Sequence, residues 1–137
     1  MTTTKEQVRI LHITLTRAER DRLNGPGGGW DSEPKFSRYA DITCGHGDHW
    51  IATIREAIFA GDYTTVGAVL VDPGTDTSMC EEAYLLTQSI SAPWPSNPDT
   101  FPVNPICRST SVGDVMLLPN GRLMAVAPIA FAPVFGD

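Results

Sequence analysis

Residues Val8 to Leu15 alternate, with Val8, Ile10, His12 and Thr14 on one side and Arg9, Leu11, Ile13 and Leu15 on the other. Alternation in a β-branched-rich run predicts a strand buried on at least one face. Thr16-Arg17-Ala18-Glu19 is a capping-box pattern, which predicts a short charged helix from about Arg17 to Leu23. Asn24-Gly25-Pro26 and three further glycines end it, so residues 24–49 read as a long irregular connection. From Trp50 the helical period returns: Trp50, Ile51, Ile54, Ala57 and Ile58 share a face, and Gly61 stands where a left-handed cap belongs. Tyr63 to Val71 is nearly continuous and β-branched, which suits a central strand covered on both faces. Ser78-Met79-Cys80-Glu81 repeats the capping box and predicts a helix to about Ser89.

Prolines at 93, 95, 98, 102 and 105 then keep the chain extended or looped. Val112 to Leu118 and Arg122 to Val126 flank Pro119-Asn120-Gly121, and Asn-Gly is a strong hairpin turn. The apolar tail from Leu123 to Phe135 is interrupted by Pro128 and Pro133, which restricts it to an edge strand followed by coil. The element order predicts one small α+β domain over residues 1–137. A mixed or antiparallel sheet, two to three helices and a C-terminal β-hairpin are expected.

Composition narrows the function classes. A chain of 137 residues with 42% hydrophobic side chains is the size and type of a single globular domain. No run approaches the roughly 18 apolar residues of a membrane span. The first residues lack the apolar stretch of an export signal, so the expected location is the cytoplasm and the three cysteines read as thiols. The net charge of −6 argues against direct nucleic-acid binding. All of that excess lies in residues 62–137, where only Arg108 and Arg122 offset eight acidic side chains. Asp72, Asp76, Glu81, Glu82, Asp99 and Asp114 are therefore expected to form an acidic face that meets a basic partner surface, with oligomeric state left open.

Chemistry-bearing clusters are sparse. Cys44, His46 and His49 are zinc-type ligands, with Asp41 or Asp48 placed to complete a tetrahedron, but their spacing matches no standard zinc pattern. The same residues, with Asp48 as an N-cap, make an ordinary turn into the Trp50 helix, so no metal or other cofactor is expected. Cys44 beside two histidines is also the composition of a thiolate pair, and Cys80 falls in a predicted first turn, where a helix dipole lowers a thiol pKa; burial as a small hydrophobe is the plainer role. Gly25 to Gly29 lacks the Lys-Ser/Thr ending of a phosphate loop. Arg108-Ser109-Thr110-Ser111-Val112-Gly113-Asp114-Val115 is the most distinctive string. It is expected to bond backbone groups at a strand entry, with a bulge or turn at Gly113-Asp114 and Arg108 paired to Asp114.

That string resembles the YodL-like domains and the related C-terminal domains of KfrB-type plasmid proteins. The likeness runs from about Tyr63 to Phe131 and leaves residues 1–61 unassigned. It also rests on Val66 to Val71, on Ala83 to Gln88, on Pro93-Trp94 and Asn97, and on the closing hairpin. Thr87-Gln88 stands where such domains carry Thr-Asn, and Ala130-Phe131 where they carry Gly-Phe. Its motif residues here are Trp94, Arg108, Ser109, Thr110, Ser111, Gly113 and Asp114. The resemblance implies a small domain carried by plasmids, phages and other mobile elements, without an established catalytic centre. The expected function is a non-enzymatic protein-binding accessory, an inhibitor of a host defence system of the anti-CRISPR or anti-restriction kind. The competing expectation is a metal- or thiol-dependent enzyme using Cys44, His46, Asp48 and His49.

Overall fold

The alternating N-terminal segment forms β1 (Glu6–Ile13) in a computed structural model that describes residues 4–45, 49–89, 93–103 and 108–135. Five further strands follow among the described residues: β2 (Tyr63–Val71), β3 (Thr100–Pro102), β4 (Val115–Leu117), β5 (Leu123–Val126) and β6 (Phe131–Pro133). They make one sheet of order β3-β2-β1-β4-β5-β6, in which every neighbouring pair is antiparallel. Among the described residues four α-helices accompany the sheet in this α+β domain: α1 (Arg17–Asn24), α2 (Pro34–Cys44), α3 (Trp50–Ala60) and α4 (Asp76–Leu86). No helix among the described residues is long and apolar enough to cross a membrane.

Alternation along β1 explains the layering. Val8 and Ile10 belong to a core with Met79, Cys80 and Ala83 of α4. Ile13 belongs to a second core with Ile42 of α2 and Trp50, Ile54 and Ala57 of α3. Successive strand residues point to opposite faces, so one central strand serves both cores. β2 matches its expected span but is covered only in part, since Thr64 and Thr65 are exposed. Both edge strands are three residues long and end in proline, Pro102 and Pro133, which limits edge-to-edge pairing.

Three local expectations need correction. Residues 24–49 are not one loop, because α2 occupies Pro34–Cys44. Pro34 sits at the start of the helix, where its missing N–H costs nothing. Phe36 and Ile42 anchor the buried side of α2, and Gly45 at φ 72° caps its end. The second correction concerns α4, which starts at Asp76 with Thr75 as its cap: Thr75 Oγ accepts from the Ser78 N–H at 3.0 Å. Ser78 and Glu81 thus lie inside the helix rather than at its mouth. Finally, α3 begins at Trp50 with His49 as N-cap and no side-chain cap bond, while the expected cap, Asp48, lies outside the described residues. The Thr16 capping box forms as expected, with Glu19 N–H donating to Thr16 Oγ and Thr16 N–H to the Glu19 carboxylate.

Candidate functional site

The Arg108–Val115 string folds into a tight knot against the end of β1. Asp114 is buried, and Arg108 donates to its two carboxylate oxygens at 2.6 and 2.7 Å. The Ser111 N–H adds a third bond to Asp114 at 2.7 Å. Gly113, at φ 92°, forms the expected turn, and a Cβ there would fall 3.1 Å from the Ile42 carbonyl oxygen. Glycine therefore satisfies both the left-handed backbone and the close approach of α2. Thr110 is buried, and its backbone N–H donates to the Thr87 carbonyl. Gln88 donates to the Thr110 carbonyl at 2.8 Å, and Ser109 Oγ accepts from the Ser89 N–H. Trp94 is fully buried and donates from its indole N–H to the Arg108 carbonyl at 2.7 Å.

Two members of this network were not singled out from the sequence. His12, 1% exposed, places Nε2 3.1 Å from Thr110 Oγ and 3.5 Å from the Asp114 carboxylate. Tyr63 donates its hydroxyl to the Gly113 carbonyl at 2.6 Å. A histidine in phase with Val8 and Ile10 on a core-facing strand was the available sign, since a buried polar side chain needs a partner. Burial pulls the His12 pKa from 6.5 to about 4; the nearby Asp114 opposes the shift and Arg108 adds to it. His12 is thus neutral at physiological pH. Burial, with Asp114 and Asp62 nearby, pushes the Tyr63 phenol well above its ordinary range. Burial lowers the proton affinity of Arg108, but the hydrogen bonds and charge of Asp114 outweigh it, so the guanidinium stays charged.

The His12 shift makes stability depend on pH. Between about pH 4 and 6.5 the unfolded chain binds more protons than the native one, so stability rises with pH across that window. The contribution is complete above 6.5 and is lost as pH falls toward 4, a change of about 3 kcal/mol. Urea unfolding at pH 4.5 and 7.5 should show wild type losing about 2–3 kcal/mol more than His12→Gln. Equal losses would assign the histidine no such role.

The other sequence-selected residues separate into distinct places. Asp114 is not part of an exposed acidic face, because burial and the Arg108 pair consume it. Asp72 and Glu81 are exposed, and Glu82 accepts from the Asp72 N–H at 3.0 Å. Asp99 pairs with Lys5 at 3.1 Å, and Asp76 with Arg122 at 3.2 Å. The hydrogen bond and charge of Asp99 hold the Lys5 ammonium above its ordinary pKa, with smaller contributions from Asp72 and Glu82. The pairing of Glu6 with Val71 sets Lys5 opposite Asp72, where β2 ends. Cys80 has no lowered pKa: it is buried in the α4 core, and desolvation pushes its thiol up to about 12. Cys44 is exposed at the end of α2 and His49 at the start of α3, whereas His46 and Asp48 lie outside the described residues. Among the described residues no group of three His, Cys, Asp or Glu side chains is placed to hold a metal ion.

Comparison with protein-family models, curated proteins and solved structures gives no match to this chain.

Proposed function

We propose that this chain is a non-enzymatic protein-binding accessory of a mobile genetic element, acting in the cytoplasm as an inhibitor of a host defence complex. The observation that carries this reading is the Lys5 end of β1: Asp99 pairs with Lys5 at 3.1 Å, the pairing of Glu6 with Val71 brings Asp72 opposite Lys5, Glu82 accepts from the Asp72 N–H, and Glu81 is exposed on the same helix as Glu82. These carboxylates outnumber the nearby cation, so the patch is suited to a basic protein surface such as the nucleic-acid channel of a restriction or CRISPR complex. The likeness to YodL-like domains supplies the mobile-element context. Its motif string is used internally: Arg108, Ser109, Thr110, Ser111 and Asp114 all bond within the domain. Ala130-Phe131 departs from the Gly-Phe of the resembling domains, and Ala130 stands at φ 68°, a conformation that glycine adopts more readily.

The test is association with a purified CRISPR effector complex at low and high salt, using wild type and a Glu81→Gln, Glu82→Gln variant. The amide introduced by Glu82→Gln keeps an acceptor oxygen for the Asp72 N–H, so the fold is preserved. The variant should associate several-fold more slowly at low salt, and the gap should close at high salt as exposed charges are screened. Equal rates in all four conditions would reduce the acidic patch to a solubility feature.

A further inference from the structure

A broad cleft lies away from the acidic patch, where β1 runs out into Thr14 and Leu15 beside the first half of β2. Its volume is about 600 Å³, within the range of small-ligand pockets. Polar side chains on its wall include Thr14, Thr64, Thr65, Tyr39, Arg20 and Arg108, and Leu15, Val66 and Val103 supply apolar surface. Among the described residues no Asp or Glu lines it, although the chain carries a net charge of −6. Three other surface clefts each include a carboxylate: Glu81 in one, Asp21 and Glu33 in another, Glu6 in the third. Acids close to the cleft are already engaged. Asp114 is buried behind Arg108, and Glu19 is tied to Lys35 and to the cap of α1.

We infer that this cleft binds a small organic anion, with a carboxylate or phosphate head at Arg20 and Arg108 and an apolar body against Leu15, Val66 and Val103. Both terminal nitrogens of Arg108 hold Asp114, yet 41% of the side chain stays exposed, so part of the guanidinium remains open to the cleft beside Arg20. Arg20 projects from exposed α1, and no side-chain ion pair holds it among the described residues. The Thr14 and Thr64 hydroxyls lie 3.1 Å apart on the wall and offer further hydrogen bonds. Arginine forks match planar carboxylates and phosphates, and apolar walls with few polar groups orient the remainder of a ligand. This site is independent of the acidic patch: it differs in position, in charge and in the size of its occupant.

The experiment is an amide-resonance titration of the full chain with phenyl phosphate, benzoate, inorganic phosphate and benzyl alcohol. Variants Arg20→Gln and Arg9→Gln are titrated alongside, the latter an exposed arginine on β1 outside this cleft. Saturable shifts at Thr14, Thr64 and Thr65 with phenyl phosphate or benzoate are expected at a Kd below about 1 mM. Inorganic phosphate and benzyl alcohol should each bind at least about tenfold more weakly. Arg20→Gln should lose about tenfold in affinity while keeping the wild-type melting temperature, and Arg9→Gln should bind as wild type. Benzoate and phenyl phosphate distinguish the two head groups. Shifts that do not saturate, equal binding of inorganic phosphate, or equal losses in the two arginine variants would each overturn the assignment.

Discussion

Trp94→Ala is expected to cost about 3–5 kcal/mol of folding free energy, enough to unfold a marginal domain. The indole has no solvent exposure and seals the crossover that carries the chain from α4 to edge strand β3. Its ring lies over β2 at Gly67, where a Cβ would stand 3.2 Å from the indole Cη2 and 3.0 Å from the Phe101 carbonyl oxygen. Glycine there lets the ring and β3 approach the same strand. The indole N–H also anchors the Arg108 carbonyl, so truncation removes packing and leaves a carbonyl without its partner. Trp94→Phe separates the two effects: it keeps most of the ring and should cost only about 1–2 kcal/mol, nearer the value of the hydrogen bond. Urea denaturation of both variants measures this. An unchanged midpoint in Trp94→Ala would mean that the residue is a contact aromatic and not a core one.

Part of this crossover was legible in the sequence: the prolines mark an extended connection after a helix, and a tryptophan between two of them is either a buried anchor or an exposed contact aromatic, a choice that its full burial decides. The strands at Val8 and Tyr63 and the Asn120-Gly121 hairpin were equally legible, each resting on a local pattern with a single physical solution. Gly121 adopts φ 88°, and Asn120 Oδ1 accepts from the Arg122 N–H, as a tight turn of this kind requires. Helix α2 was obscured by its neighbours: the glycines before it and Pro34 at its head resemble a loop when spacing alone is considered. Its stability comes from tertiary packing of Phe36 and Ile42, which no local propensity reports. The excess of acidic charge was legible as composition, but its placement in space was not. Asp114 counts as a charge in the sequence, whereas folding buries it beside Arg108. His12 shows the opposite failure, since its role depends on Thr110 and Asp114, about a hundred residues away in the chain. The organic-anion cleft was invisible for the same reason: α1, α2, β1, β2 and the Arg108 segment each contribute to its wall.

Asp114→Ala is expected to destabilise the domain by about 3 kcal/mol, the lower end of the range for breaking a buried ion pair. The lower end applies because Arg108 is 41% exposed and water can solvate part of the freed charge. The loss has three parts. Arg108 loses both of its carboxylate bonds, the Ser111 N–H loses its acceptor, and the turn that Gly113 sets up loses its tie to the strand entry. Asp114→Asn keeps one acceptor oxygen and the side-chain shape, so it should cost roughly half as much. The carboxylate also raises the proton affinity of His12, against the stronger effect of burial. Its removal should therefore hold His12 neutral to still lower pH and widen the acid-sensitive window of the variant at its lower edge. Thermal or urea unfolding of wild type, Asp114→Asn and Asp114→Ala at neutral pH gives the ranking, and a double-mutant cycle with Arg108→Ala isolates the pair. Additive effects in that cycle would show that Asp114 acts on Ser111 and the turn alone, with Arg108 a bystander in stability.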